Sequence, residues 1–364
     1  MALGEHTLHS FFGYYDITPF NNVGEVLFLN LDKSLRKAEV MLFNRNDSLI
    51  RTLATTNSWN WQQGARLRWF PGSNDSILFN DFIEGEYLCR ELNIRTKEEK
   101  TYIKPLYDVN KDGLLGLSLD FERLGVKRPG YGYTCKPYKE PSDLSGEGID
   151  LVDLKTNTAQ RIITYTDIAG AIGVEDDSFS NNYINHLSFS PSGDKFMFFW
   201  LTIVKHYHKA YMLVYDMKDK TLIPLETEEK VSHYLWLDEE HLLCTVYDLN
   251  DNCRYVIYGL DGSKKHVFKS IDFDGHPIWY KDGLILTDSY PDKKGFQRLV
   301  VCNLQNDETK VIAEIFHEPA ISIERRTDLH PRYDSKTDTI CIDANMTGKR
   351  KLLLLKTEND ERTR

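Results

Sequence analysis

Four segments in the second half of the chain share one layout, and this repeat is the feature that most constrains the fold. Each segment has a histidine near its start, then an aromatic residue, a polar turn and an alternating apolar strand. Successive histidines are 47, 43 and 54 residues apart, an interval typical of the four-stranded blades of a β-propeller. The four histidines are His186, His233, His276 and His330.

Strands separated by turn residues fill most of the remaining chain. Apolar alternation around Asp, Asn, Gly or Lys turns, as in YVIYGLDGSKKHVF, is typical of antiparallel hairpins. The N-terminal half repeats the pattern more loosely, and helical periodicity is almost absent. Counting the segments predicts an all-β fold, a single seven-bladed β-propeller domain of four-stranded antiparallel blades over residues 1–364.

Two segments, at about residues 122–148 and 165–184, interrupt this rhythm. Both are rich in Gly, Pro, Tyr, Asp and Ser, and both are longer than ordinary connections in a compact fold. We expect them to be long loop insertions at one mouth of the propeller. The alternative is that they are mobile surface loops without a role.

Composition and charge exclude several classes of protein. The formal net charge of −10 argues against wide contact with nucleic acid or an anionic membrane. No apolar run approaches the roughly 20 residues of a membrane helix, and no signal-peptide pattern is seen. We therefore expect a cytoplasmic monomer without membrane insertion, or a periplasmic or secreted protein if the N-terminus was trimmed. The six cysteines include no CxxC pair, which favours reduced core thiols over disulfides or a metal site.

The geometry of a propeller indicates where a site should form. The first strand of each blade lines the central channel, so the four histidines should converge there with Tyr15, Arg66 and Arg332. Tyr14 of HSFFGYYD and Tyr131 of RPGYGY are expected near the channel mouth. Structural hydrogen bonds for the histidines and aromatic packing for the tyrosines are the alternatives.

The stretch WNWQQGARLRW, residues 59–69, combines three tryptophans with amide and guanidinium donors. Flat rings stack on the C–H faces of sugars, and these donors bind hydroxyls and carboxylates, so the stretch predicts a sugar-binding surface. In the alternative, the tryptophans cap the blade core and only the two glutamines and the first arginine face inward. The predicted substrate-binding residues are Tyr14, Tyr15, Trp61, Gln62, Gln63, Arg66, Tyr131, His233 and Arg332.

A family resemblance rests on six segments in order along the chain: FFGYYDITPF, WNWQQGARLRWFPG, LSLDFERLGVKRPGYGY, NHLSFSPSGDKFMFF, DGHPIWYKDGLILTDSYPD and DLHPRYDS. In this order they resemble segments of the TolB-like seven-bladed propellers that include the ulvan lyases, with oligogalacturonate lyase as a more distant relative. The resemblance implies a polysaccharide lyase that cleaves a uronic-acid-containing polysaccharide by β-elimination. That reaction needs neutralisation of the uronate carboxylate, a base at C5 and an acid at the leaving O4.

The resemblance also implies particular catalytic residues. Ulvan lyases use two channel histidines about twenty residues apart, with a tyrosine and an arginine. Here His186 is followed by His206 and His208, and Tyr290 and Arg298 are the candidates for the tyrosine and the carboxylate clamp, with Arg66 as a second clamp. The alternative for the second histidine pair is that both are exposed turn residues.

A metal ion is the other way to neutralise the carboxylate, and the resemblance to oligogalacturonate lyase implies one. His276, Asp328 and His330 could bind a divalent cation, Mn²⁺, Ca²⁺ or Zn²⁺, and leave positions open for substrate. Hydrogen bonds that pack the blades are the alternative for these three residues. No cofactor is otherwise indicated.

Two functions from different classes therefore remain open. The first is the lyase, whose partner is an acidic polysaccharide or oligosaccharide. The second is a non-catalytic glycan-binding or scaffold propeller that serves assembly of a surface or capsular polysaccharide. The absence of an export signal favours the second, and the convergent histidines favour the first. Glycosyltransferase chemistry is the least supported, because no nucleotide-binding βαβ unit is seen.

Overall fold

The computed structural model describes residues 1–4, 8–175, 178–205, 207–320 and 322–357. Its strands form seven four-stranded antiparallel sheets. The predicted all-β, seven-bladed propeller is therefore confirmed. None of the helices in these ranges is long and apolar enough to span a membrane.

The first three blades follow one another in chain order after a short opening strand, β1 (Ala2–Leu3). Blade 1 contains β2 (His9–Phe11), β3 (Glu25–Leu31), β4 (Ala38–Asn44) and β5 (Leu49–Thr56). Blade 2 contains β6 (Arg68–Trp69), β7 (Ser76–Ile83), β8 (Glu86–Asn93) and β9 (Glu99–Tyr102). Blade 3 contains β10 (Asp108–Val109), β11 (Leu115–Ser118), β12 (Gly148–Asp153) and β13 (Thr158–Thr164).

The other four blades complete the ring. Blade 4 contains β14 (Asn182–Phe189), β15 (Lys195–Val204), β16 (Tyr207–Asp216) and β17 (Thr221–Glu226). Blade 5 contains β18 (Lys230–Trp236), β19 (His241–Tyr247), β20 (Cys253–Gly259) and β21 (Lys264–Val267). Blade 6 contains β22 (Ile278–Trp279), β23 (Ile285–Asp288), β24 (Phe296–Asn303) and β25 (Glu308–Phe316). Blade 7 contains β26 (Arg332–Asp334), β27 (Thr339–Asn345), β28 (Arg350–Lys356) and β1.

Burial falls from the second strand of a blade to the outermost one. Every residue of β3 and of β27 is buried, because neighbouring blades cover both faces of these strands. The outermost strands β5 and β25 are largely exposed. The hydrophobic core therefore lies between blades, and each blade depends on its neighbours for coverage.

The two predicted insertions carry short helices in addition to loops, which the sequence did not indicate. Helix α1 (Phe121–Lys127) begins at Asp120, whose side chain accepts a hydrogen bond from the Arg123 backbone. Helix α2 (Tyr165–Ile172) begins with a capping box between Thr164 and Asp167. The buried Arg123 guanidinium donates to backbone carbonyls of residues 179, 180 and 182, so the two insertions contact each other.

The ring is closed by strand pairing and by one buried carboxylate. Strand β1 pairs with β28, which joins the start of the chain to blade 7. Asp343 of β27 is fully buried and accepts hydrogen bonds from the backbone N–H groups of Phe12 at 3.0 Å and Gly13 at 3.4 Å. It also pairs with Arg332 at 3.2 Å. Blades 7 and 1 are therefore joined close to the channel as well as at the outer edge.

The six cysteines are free, as predicted, and five of them are buried. Cys135 is exposed, so the expectation of a core position was wrong for this residue. It lies in the first insertion, outside the blades, where its backbone N–H donates to the Tyr87 hydroxyl.

Replacing the closing carboxylate should destabilise the fold. We expect Asp343→Asn to lower the free energy of unfolding by about 3–5 kcal/mol, because the Arg332 guanidinium would lose its buried counter-ion. Asp338→Asn in the same blade is the matched control, since its pair with Lys281 is partly exposed and should be worth less than about 1 kcal/mol. Denaturant unfolding followed by circular dichroism measures both, and equal losses would contradict the assignment.

Candidate functional site

A cavity of about 190 Å³ opens beneath the two insertions at one mouth of the channel. Its lining comes from blades 4 to 6, from Arg128 and Tyr131 of the first insertion, and from the segments that contain Tyr14 and Arg326. Sites for drug-sized ligands measure roughly 300–1,000 Å³, so this smaller cavity has room for a ligand of about one sugar unit. The polar and aromatic lining residues are Tyr14, Arg128, Tyr131, Tyr183, Asn185, His186, Phe199, His208, Lys230, Ser232, His233, Tyr247, Asp274, Tyr290 and Arg326.

The four blade-leading histidines converge beside this cavity, as the repeat predicted. The ring centroids of His233 and His276 are 4.0 Å apart, and those of His276 and His330 are 4.4 Å apart. Tyr14 lies among them, with its ring 4.8 Å from His330 and 5.1 Å from His186. The histidines and Tyr14 therefore form one contiguous buried cluster.

Local irregularities in the strands aim these side chains. The β14–β15 register shifts between Asn185 and Ser188, and the β18–β19 register shifts beside His233. His186 and His330 have φ values of 59° and 45°, in the left-handed region that non-glycine residues rarely adopt. Bulges and positive φ values turn a side chain away from its regular direction, at a cost that the surrounding structure must offset.

In three of these histidines, Nδ1 forms a hydrogen bond to an oxygen acceptor. Nδ1 of His233 lies 2.8 Å from Asp274, and Nδ1 of His276 lies 2.8 Å from Asp288. Nδ1 of His330 lies 2.9 Å from the carbonyl oxygen of Gly13. Each contact sets the ring orientation and leaves Nε2 as the nitrogen available for other chemistry.

His276, Asp328 and His330 have the donor set of a metal site. Their candidate ligand atoms all lie within 4.8 Å of one another, and all three residues are buried. Nε2 of His276 and Nε2 of His330 have no hydrogen-bond partner among the described residues, although both atoms are buried. Two orphaned imidazole nitrogens beside a carboxylate fit a divalent cation, because buried polar atoms otherwise find partners.

Burial and the carboxylates set the charge states of this cluster. Burial lowers the pKa of His276, but the Asp288 and Asp328 carboxylates more than offset this, so the pKa lies above its usual value. Burial and the neighbouring His276 lower the pKa of His233, although Asp274 acts in the opposite direction. Burial lowers the pKa of His330 well below its usual value. His233 and His330 are therefore neutral at physiological pH.

Cationic side chains line the cavity, namely Arg128, Lys230 and Arg326. Arg326 pairs with Asp328 at 2.9 Å, donates to the Tyr131 hydroxyl at 3.1 Å and lies over the ring of Tyr290. Arg128 lies over the Tyr131 ring, with 5.2 Å between its guanidinium carbon and the ring centroid. Together with Lys230 these groups favour an anionic ligand.

The structure brings several predicted site residues to the cavity. Those that line it are Tyr14, Tyr131, His186, His208, His233 and Tyr290. The predicted metal ligands His276, Asp328 and His330 lie directly behind it. His208 contacts the Tyr183 hydroxyl through Nδ1 at 2.7 Å. His206 lies outside the described residues.

Other predicted residues have structural partners instead. Arg298 is exposed on β24, because side chains alternate along the strand and its neighbour Gln297 is the one that faces inward. The Arg298 side chain pairs with Glu314. Arg66 is buried in an ion pair with Asp16 at 2.8 Å. Arg332 is buried against Asp343, as described above. None of these three arginines lines the cavity.

Four of the predicted aromatic and amide residues also have partners within the protein and do not line the cavity. The Tyr15 hydroxyl donates to the Tyr234 carbonyl, although its ring contacts the histidine cluster. Gln62 donates to backbone carbonyls of residues 324 and 326, and Gln63 donates to Tyr107 and Asn185. Trp61 is buried and packs on the side chain of Phe11. These four residues support the channel wall.

Several residues that line the cavity were not predicted from the sequence. Asp274 and Arg326 each lie two residues before a predicted metal-site residue, so proximity in sequence was an available signal. Arg128 lies in the RPGYGY segment beside Tyr131. Lys230 and Tyr183 carry no motif, and only the fold brings them to the site.

The fold is similar to that of several solved structures. An oligogalacturonate lyase in complex with manganese is 16% identical, with a TM-score of 0.69 over 96% of this chain and 91% of that chain. Oligogalacturonate lyase from Vibrio parahaemolyticus is 13% identical, with a TM-score of 0.67 over 97% and 92% of the two chains. The β-propeller domain of the Trilobed protease from Pyrococcus furiosus is 12% identical, with a TM-score of 0.55 over 97% and 95%.

No protein-family model matches this chain, and no curated protein does either. At the identities above, the likeness concerns the fold alone. This likeness of fold confirms the distant resemblance to oligogalacturonate lyase.

His208 should stay neutral well below the pH at which ordinary histidines titrate. Burial, with Arg128 and Lys230 nearby, lowers its pKa to about 4. Because the unfolded chain binds this proton near pH 6.5, the contribution of His208 to stability is lost as the pH falls from about 6.5 to 4. NMR titration of the imidazole signals, with His208→Gln to assign the resonance, measures the value. A midpoint near 6.5 would contradict the placement of this ring.

Proposed function

We propose that this protein is a metal-dependent lyase that cleaves a uronate-containing oligosaccharide by β-elimination. The observation that carries the proposal is the buried set of His276, Asp328 and His330 beside a cationic, tyrosine-lined cavity. The fold likeness to an oligogalacturonate lyase in complex with manganese supports it.

The residues present favour Mn²⁺ or Zn²⁺ over Ca²⁺ as the metal. His276 and His330 would each supply Nε2, and Asp328 would supply a carboxylate oxygen. Calcium usually takes about six to eight oxygen ligands, whereas imidazole nitrogen suits transition metals. When bound, the cation would help to neutralise the uronate carboxylate, which acidifies the C5 proton. Arg128 would bind the same carboxylate, and so would Arg326, which lies beside the metal set through its pair with Asp328.

His233 is the proposed base. Its lowered pKa keeps the ring neutral, Asp274 holds Nδ1, and Nε2 is left to take the proton from C5. The Asp274 carboxylate also stabilises the imidazolium that forms. His186 fits this role less well, because Nε2 contacts the Asn185 amide and no carboxylate in the described part of the chain is hydrogen-bonded to the ring.

A protonated phenol would complete the reaction. As the C5–H bond breaks, a double bond forms between C4 and C5, and the C4–O4 bond breaks. The leaving O4 must then receive a proton. Burial raises the pKa of Tyr14 and of Tyr290 well above the usual value, so both phenols hold their protons. The Tyr14 hydroxyl has no hydrogen-bond partner among the described residues, which leaves it available to donate.

Metal binding is testable without a substrate. Mn²⁺ titrated into the purified protein should bind, and His330→Gln should weaken binding by at least about tenfold, because even outer-shell changes at metal sites cost roughly 10–100-fold. His241→Gln is the control, since this histidine is only partly buried, pairs with Asp238 and does not line the cavity. Isothermal calorimetry measures both variants. Unchanged affinity in His330→Gln would exclude this site.

The base is tested by product formation. With Mn²⁺ and a panel of uronate oligosaccharides, the wild type should form the unsaturated uronate, which absorbs in the ultraviolet. His233→Asn should lower kcat by about 10²–10⁴-fold, the usual contribution of a general base. His241→Gln should leave kcat unchanged. A flat trace for the wild type over the whole panel, with oligosaccharide binding still measured by calorimetry, would overturn the lyase proposal in favour of a non-catalytic glycan-binding propeller.

A further inference from the structure

A second, larger depression lies beside the cavity and is not used by the reaction described above. We call it the groove, with a volume of about 750 Å³. One wall carries Trp59, Trp61 and Arg36 from blade 1 and the segment that follows it, and the other consists largely of the first insertion. Its volume lies within the range of roughly 300–1,000 Å³ that ligand sites occupy.

The groove presents aromatic rings together with cations. Trp59 is only partly buried, its ring lies 5.2 Å from that of Trp61, and its Nε1 donates to the Arg36 carbonyl at 3.3 Å. The Arg325 guanidinium carbon lies 5.3 Å from the Trp61 ring centroid. Two adjoining indoles, with Arg325 over one of them and Arg36 also in the lining, form a surface on which a sugar ring can stack while its carboxylate is bound.

The opposite wall brings backbone close to any ligand. It includes Gly125, Gly130 and Gly132, where a Cβ atom would meet neighbouring backbone, so glycine allows this wall to pack closely. Gly130 has a φ of 93°, and a Cβ there would lie 3.1 Å from the Glu324 carbonyl oxygen. Glycine at this position therefore lets the two loops approach and leaves carbonyl and N–H groups near the groove.

The groove and the cavity share a narrow rim, formed by residues 130–131 and 325–326. Gly130 and Arg325 line the groove, whereas the next residues, Tyr131 and Arg326, line the cavity. Gln62 holds the rim, because its backbone N–H donates to the Gly130 carbonyl at 3.0 Å and its Nε2 donates to the Arg326 carbonyl at 2.9 Å. The groove therefore adjoins the cavity across a rim that hydrogen bonds fix, where sugars next to the reacting unit would lie.

We propose that the groove binds the sugar residues that flank the reacting unit, so that the protein prefers an acidic oligosaccharide over a disaccharide. This inference rests on the proposed function for the identity of the sugar. Trp59 supplies the stacking face, and Arg36 and Arg325 bind carboxylates of the flanking uronates. The cavity holds one unit, and the groove has room for several.

Affinity as a function of chain length tests the proposal. Calorimetry with galacturonate oligomers of two and six units should show tighter binding of the longer one to the wild type. Trp59→Ala should weaken binding of the longer oligomer by about tenfold and leave the shorter one within about twofold, because a buried stacking contact is worth on the order of 1.4 kcal/mol. Trp279→Ala, another partly exposed indole that donates to a backbone carbonyl, is the matched control and should change neither.

Arg36→Gln is a second variant that leaves the fold unchanged, because the side chain of Arg36 is exposed. It should also weaken binding of the six-unit oligomer selectively. If both variants bind the two oligomers as the wild type does, or if the longer oligomer does not bind at all, the groove is not a saccharide site.

Cys135 provides a readout that requires no catalysis. It lines the groove and is exposed, whereas the other five cysteines are buried. The six-unit oligomer should slow modification of the Cys135 thiol by a thiol reagent by several-fold, and the two-unit oligomer should not. Cys135→Ser should abolish this modification and leave only that of the buried thiols. Length-dependent protection without product formation would refute the lyase but keep the groove. Product formation without protection or length dependence would refute the groove but keep the lyase.

Discussion

The closing of the ring and the orientation of the site depend on one buried carboxylate, that of Asp343. It holds the backbone of Phe12 and Gly13 and pairs with Arg332. The Gly13 carbonyl in turn accepts hydrogen bonds from the Nδ1 atom of His330 and from Arg332. Because the same few atoms close the propeller and orient a candidate metal ligand, the site exists only when the last blade has joined the first.

Carboxylates on neighbouring strands offset the cost of burying so many imidazoles. Asp288 at the end of β23 accepts from the backbone N–H and from Nδ1 of His276, and its other oxygen accepts from the backbone N–H of His330. Asp288 therefore joins blades 6 and 7. Asp274 likewise accepts a hydrogen bond from Nδ1 of His233 in blade 5. A buried polar group without such partners would cost free energy, and the orphaned Nε2 atoms are conspicuous for that reason.

The blades and the insertions have different roles in the site. The blades and the segments that lead into them supply the imidazoles, which are oriented by hydrogen bonds to Asp274, Asp288 and the Gly13 carbonyl. The insertions supply Arg128 and Tyr131, and the loop before β26 supplies Arg326. Charge complementarity to an anionic ligand thus comes mainly from segments that interrupt the repeat, while the proposed proton transfer and metal ligation come from the repeat itself.

The repeat and its histidines were sufficient to predict the seven blades and the convergence of His186, His233, His276 and His330, because equivalent positions in a closed repeat meet at its axis. Strand register is less easily predicted. Arg298 and Gln297 differ by one position, and only the pairing of β24 decides that the arginine faces solvent.

The sequence alone also does not decide between partners when a side chain has several possible ones. The sequence by itself determined which residue types would surround the channel, since the spacing of the blades is a local property of the chain. Only the tertiary structure decided that Arg66 pairs with Asp16 and that Arg326 and Lys230 face the cavity, because ion pairs form between segments that are distant in sequence. The helices of the insertions likewise depend on caps and on the anchor at Arg123, and not on a periodic pattern that could be recognised in advance.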